Sequence, residues 1–418
     1  MKNILQGLNL LIIADSISSR DVEEIIRLEL NVVVIGRMNI EKSFIKKHIS
    51  CEGKNAHQIY DELQEEGFVP HAVRTNSENY VLLKAEICKL TGIPFISPDV
   101  AKGVIEKHLM RERFIAAKPQ ISPQFSTINT HEQIDNFIDT FGLPVMLKPS
   151  ALDRSMLVTR AETIPEAHAA YDEIKRRIDG IYSSRKNSLK PTIIIEQYMT
   201  GPKFSVEGIV DASGKLFTPN TITDLWFGYD IGVDDPMNHL RIVPSNQPQS
   251  VIDAMITCAR DAVEALKLVS TPIHAELILV DGQAKIIEIA CRIGGYRQGL
   301  YKAALGVSLF EQDLRMQISE SIDMSDTKPR EYAAAFKVYA ESEGTLEYIS
   351  NMELFDVPQC TGVKVKINPG VLVGPSKLGY SEILHALFQS NSYEDIQRIT
   401  SEVTSKVKAV LSSKTIIK

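Results

Sequence analysis

The run His274-Ala275-Glu276-Leu277-Ile278-Leu279-Val280, the turn Asp281-Gly282-Gln283 and the run Ala284-Lys285-Ile286-Ile287-Glu288-Ile289-Ala290 predict an antiparallel hairpin. With a three-residue loop, Val280 pairs with Ala284, and counting back along the ladder brings Glu276 opposite Glu288. Their Cβ atoms would then lie about 4.5–5.5 Å apart on one face. Facing carboxylates repel unless something neutralises them. A divalent cation that also takes phosphate oxygens does so. A two-residue loop would send the glutamates to opposite faces and leave a plain solvent-facing hairpin. Beyond the second run, Arg292 and Ile293-Gly294-Gly295 supply a fixed cation and then backbone free of side chains, open to close approach by a ligand. His274, facing Ala290, reads equally as a group orienting a substrate carboxylate and as a buried polar residue.

Upstream, apolar runs at Leu8–Ala14 and Asn31–Ile35 alternate with helix-favouring segments, which predicts a parallel sheet with helices on both faces. The spacing at Val81–Leu90 is helical, and Thr91-Gly92-Ile93-Pro94 is a stop. Asp99–Ala117 reads as a basic helical region. Leu143–Pro149 and Leu157–Thr159 read as short strands, and Ile164–Ile178 as a helix capped by Thr163 with Glu166. Arg185–Ser188 reads as an exposed linker. Thr192–Glu196 starts a second block, with turns at Gly201-Pro202, Ser213-Gly214 and Asp281-Gly282 and a helix over Ser250–Leu268. Ala333–Tyr339 and Gly362–Ile367 read as strands, and Tyr393–Leu411 closes the chain as a helix. The expected units are 1–98, 99–190, 191–330 and 331–418 in an α/β (α+β) fold.

The motifs from Lys107 to Gly295 resemble the ATP-grasp superfamily of carboxylate ligases. The resemblance implies an ATP-grasp fold with an N-terminal parallel-sheet domain and a C-terminal lobe. Glu276 and Glu288 match its magnesium ligands, and Arg292 matches the arginine that contacts the transferred phosphate or acyl phosphate. Lys148 in Val145-Met146-Leu147-Lys148-Pro149 and Lys107 in Glu106-Lys107-His108-Leu109-Met110-Arg111 match its two phosphate-binding lysines. Glu196, Gln197 and Met199 match the strand whose backbone reads adenine, and Glu207 matches a residue pointing toward nucleotide and substrate. Ile287–Gly295, with Ala290 where most relatives carry Asn, looks most like the L-amino-acid (dipeptide) ligase branch. The 148–159 phosphate loop has no glycine, so Arg154 and Ser155 are its candidate donors, and the loop is the candidate lid. Lys203 sits where relatives often carry an acid.

The implied activity is an ATP-dependent ligase that activates a carboxylate, an amino acid by preference, as an acyl phosphate for attack by an amine. It would use ATP with Mg2+ or Mn2+. The alternatives are a nucleotide-biosynthesis ligase or carboxylase and a non-catalytic ATP-binding relative. Gly294, Gly295, His274 and Arg241 are the candidate substrate contacts. Trp226 reads as packing or a pocket wall, and Asp234-Asp235 as a solvated turn. Lys+Arg 46 against Asp+Glu 53 gives a net charge of -7, with no global bias toward nucleic acid or anionic membrane. No apolar run is long enough for a membrane span. Five scattered cysteines without CxxC spacing point to a reducing, cytoplasmic setting. The expected partners are small-molecule acids and amines, with a homodimer suggested by the resemblance.

Overall fold

A computed structural model of the chain describes residues 3–153, 155–184, 189–324 and 327–412. The α/β expectation holds. The first sheet is parallel, ordered Ile45–Ser50, Asn31–Gly36, Asn9–Ile13, Ala72–Arg74. Its two central strands, Asn9–Ile13 and Asn31–Gly36, are nearly continuous apolar runs because helices cover both faces. The strand order reverses between Asn9–Ile13 and Ala72–Arg74, and the loops after these two strands open a crevice there. Asp15, Ser16, Asn76 and Glu78 line it. The helix Val81–Thr91 ends on Gly92 in the left-handed region (φ 73°), as its stop signal predicts.

The basic region is two helices, Pro98–Ile105 and Lys107–Ala117, because Glu106 between them is extended. The break puts Lys107 at a helix start. A four-stranded antiparallel sheet follows, ordered Phe125–Ile128, Ile193–Gln197, Val145–Pro149, Thr159–Ala161. The strand expected at Leu157 starts two residues later, since Leu157 adopts φ 58°. The helix Ile164–Ser184 outruns its expected end. At its start, Thr163 accepts from the Glu166 N–H at 3.3 Å, and the Glu166 carboxylate accepts from the Glu162 N–H at 2.8 Å. The linker 185–188 and Arg154 lie outside the described residues.

The largest sheet is antiparallel and runs from Gln283–Ala290 at one edge through Thr271–Val280, Lys203–Val210, Thr223–Phe227, Asn238–Val243, Tyr332–Val338 and Leu384–Ser390 to Cys360–Val365. One face of its first strands buries Ala275, Leu277, Ile286 and Ile289 against Met255, Ala259 and Ala262 of the helix Gln249–Leu266. The final helix stops at Lys406, and Ala409–Ser412 is a strand, not more helix. Asp235 is not a solvated turn residue: it is buried, bonded to Ser376 and 3.3 Å from His239.

The hairpin corrects a premise. Its turn has two residues, Asp281 (φ 49°) and Gly282 (φ 79°), so Val280 pairs with Gln283 and not with Ala284. Such a turn alone would separate the glutamates. A β-bulge restores them: Leu277 pairs with Ile286, yet Glu276 pairs with Glu288, leaving Ile287 as the extra residue.

Candidate active site

Glu276 and Glu288 therefore face each other, with side chains 24% and 33% exposed. Both line a cavity of about 540 Å³ shared with Ser155, Arg241, His274, Arg292 and Gly295. Burial opposes ionisation of Glu276, but His274, Arg297 and Arg241 outweigh it and hold the carboxyl at about 2. Glu276 keeps its charge at neutral pH. Lys107, 3.5 Å from Glu288, and His274, 3.3 Å from Glu276, offset part of the charge, and the space between the carboxylates suits a further cation.

Behind this pair lies a closed network. His274 bonds Glu207 through Nδ1 at 2.6 Å, and its Nε2 lies 3.3 Å from Glu276. Burial disfavours the charged ring, but Glu207 and Glu276 together raise its pKa. Glu207 also accepts from Arg297 (3.0 Å), Ser205 (3.1 Å) and the Gly294 N–H (3.2 Å). Its oxygens are occupied behind His274. This differs from the expectation that Glu207 points at nucleotide and substrate. Gly294 is required by packing, since a Cβ there would meet His274 Nδ1 at 2.6 Å. Gly295 has open space and lines the cavity.

The two lysines differ. Lys148 Nζ is 2.6 Å from Glu196, inside the protein, with Arg111 Nε 2.8 Å from the other oxygen of the same carboxylate. Burial would raise Glu196, but Arg111 and Lys148 drive it down to about 2. Lys107 Nζ instead donates to the Leu152 carbonyl in the phosphate loop at 3.0 Å and stands 3.5 Å from Glu288. The loop also closes on Lys107 from behind, with its backbone N–H bonded to the Ser150 carbonyl at 2.9 Å.

Without glycine, the loop still reaches left-handed backbone at Ser155 (φ 53°) and Leu157. Ser155 donates to the Pro236 carbonyl at 3.3 Å, and the Leu157 N–H lies 3.4 Å from the Lys377 carbonyl, so the loop rests on the C-terminal part. In the adenine-type strand, the Gln197 N–H is taken by Gln124 and the Tyr198 N–H by Pro144. Met199 follows where the chain leaves the strand. Lys203 pairs with Asp230 at 2.6 Å. It shares a separate cleft with Trp226, which also packs on the C-terminal core.

Glu78, Asn238 and Arg111 at the site were not singled out from the sequence, whereas Arg241 was. Glu78, on the loop after Ala72–Arg74, bonds Arg292 Nε at 3.0 Å. Burial raises the Glu78 carboxyl, opposed by Arg292. Arg241 Nη1 and both amide atoms of Asn238 are buried without a hydrogen-bond partner among the described residues, and both side chains line the cavity. Burial and the nearby Arg297 pull the Arg241 guanidinium down to about 10. Orphaned buried donors at a cavity wall suit an anionic oxygen. Only Arg111, one helical turn after Lys107 in a quoted motif, carried a local signal.

The donor set fits a hard cation held with phosphate. Two carboxylates face each other, and no cluster of three or more His, Cys, Asp or Glu side chains suited to a metal exists among the described residues, so further ligands would be phosphate or water. Residues 141–299 match the ATP-grasp domain family, and the whole chain has the ATP-grasp fold. It superposes on an L-amino acid ligase from Bacillus licheniformis with a TM-score of 0.79, 18% identity, 98% of this chain and 100% of that one. It is 25% identical over 264 residues to the alanine–anticapsin ligase of Bacillus amyloliquefaciens, covering 58% of this chain and 54% of that protein. The phosphoribosylamine–glycine ligase of Streptococcus pneumoniae is 26% identical over 184 residues, 41% of this chain and 40% of that protein. The chain thus spans about half the length of the curated relatives it matches. No described helix is long and apolar enough to cross a membrane.

Proposed function

We propose that the protein is an ATP-dependent ligase that joins a carboxylate, an amino acid by preference, to an amine. The observation that carries this is Glu276 facing Glu288 on a cavity wall that also holds Arg292 and the orphaned donors of Arg241 and Asn238. Glu276 and Glu288 would hold magnesium or manganese, which neutralises charge on the ATP phosphates. Lys107 reaches those phosphates from the loop side. Lys148 would join it on release from Glu196. Ser155, Gln197 and Met199 are assigned to the nucleotide on the positions they occupy. Arg292 stabilises the transferring phosphoryl group, where charge neutralisation matters more than covalent help.

A carboxylate oxygen attacks the γ-phosphorus, the bond to the β-phosphate oxygen breaks and ADP leaves. The amine nitrogen then attacks the acyl carbon, and phosphate departs. Arg241 and Asn238 bind a substrate oxyanion, and Gly295 leaves room for it. His274 is held by Glu207 and steadies Glu276. The loop 148–159 excludes water that would hydrolyse the acyl phosphate. The first sheet supports a separate unit near 1–98, whereas Ile193–Gln197 joins the second sheet across the boundary at 190 and the largest sheet runs on to Leu384–Ser390 across the boundary at 330; five free thiols favour a cytoplasmic setting.

The test is ADP release measured over pairs of amino acids, with mass spectrometry of the products. The expected result is release that requires both an acid and an amine and yields an amide. ATP binding without such release across the panel would contradict the proposal.

A further inference from the structure

Arg111 is fully buried in the helix Lys107–Ala117, and all three of its donor nitrogens are used. Nε donates to Glu196 at 2.8 Å, Nη1 to the Ile286 carbonyl at 3.0 Å and Nη2 to the Ile287 carbonyl at 2.7 Å. Successive carbonyls of a regular strand point to opposite edges, so one side chain does not take both. Here it does, because Ile287 is the extra residue of the bulge and Ile286 the last one before it, where the register shifts from Leu277–Ile286 to Glu276–Glu288. Gln283–Ala290 is an edge strand, so no further strand supplies donors on that side.

We propose that Arg111 is the positioning residue that holds the Ile287 bulge and thereby keeps Glu288 opposite Glu276. This rests on the acid pair being the cation site proposed above. The planar guanidinium reaches three acceptors in fixed directions. A lysine ammonium keeps the charge beside Glu196 but cannot span both carbonyls. The same guanidinium ties the strand of Glu196, whose carboxylate also holds Lys148, to the strand of Glu288. Arg111 touches neither reacting atoms nor metal and acts through the backbone it pins.

The test is Mn2+ binding to the full chain in the presence of ADP, followed by electron paramagnetic resonance, for wild type and Arg111→Lys. Arg111→Lys is expected to weaken Mn2+ binding by about tenfold or more, the scale of lost outer-shell support, while metal-free ADP binding stays at the wild-type value. Wild-type Mn2+ affinity in Arg111→Lys overturns the inference. No Mn2+ binding by the wild type would instead overturn the cation site itself. If Arg111→Lys does not fold, the same substitution is combined with deletion of Ile287. The deletion lets a regular ladder present the glutamate opposite Glu276. That pair is expected to fold and bind Mn2+ as the wild type does, and failure of either overturns the inference.

Discussion

The outer and inner halves of the hairpin formed by Thr271–Val280 and Gln283–Ala290 obey different registers. From the turn to Leu277–Ile286 the ladder is regular and follows from the Asp281-Gly282 turn. From Glu276–Glu288 inward it is offset by one residue. The turn fixes where the hairpin folds back, but the bulge fixes which side chains meet. The proposed cation site sits on the inner half, so its geometry depends on Ile287 and on what supports it, and not on the tightest local signal in the sequence.

The largest effect is expected at the inner half. Glu288→Gln keeps the size of the side chain and removes one of the two facing charges. ADP release should fall by about 10²–10³-fold, the scale of losing one electrostatic contact to a transferring group, with the fold unchanged by circular dichroism. Persisting activity would separate the bulge from function.

Acid should act on the inner half through Glu276 and on the neighbouring sheet through Glu196. Glu276 and Glu196 both titrate at about 2, below the ordinary glutamate value of 4.5. A carboxyl lowered in the folded state contributes stability that is present above its unfolded value and lost as pH falls through the folded value. Denaturant unfolding should therefore show stability lost between pH 4.5 and 2, on the order of a few kcal/mol. A flat profile over that window would mean that neither carboxylate is held as described.

The smallest effect is expected at the outer half. Gly282→Ala places a Cβ at φ 79° and should cost about 1 kcal/mol of stability. The magnesium concentration for half-maximal ADP release should not move, because the turn does not set the inner register. A shift in magnesium dependence would show that the two halves are coupled.

Much of the fold was legible because its signals are local. The parallel strands at Asn9–Ile13 and Asn31–Gly36 read directly as apolar runs, and Gly92 ended its helix as a left-handed glycine should. The acid pair was legible too, though through the wrong loop. Asp-Gly favours a two-residue turn, and the inward-facing Ile286 and Ile289, three apart instead of two, are the trace of the bulge in the sequence. What stayed hidden is non-local. Arg111 meets carbonyls 175 and 176 positions away. Glu78 meets Arg292 across 214. The saturation of Glu207 needs His274, Arg297, Ser205 and Gly294 to converge, which no spacing within one strand announces.

The most direct measurement is anomalous diffraction at the manganese edge from crystals grown with Mn2+ and a non-hydrolysable ATP analogue. The account predicts a manganese peak coordinated by oxygens of both Glu276 and Glu288 and by the analogue's terminal phosphates. Nucleotide bound with manganese elsewhere, and the two carboxylates uncoordinated, would contradict it.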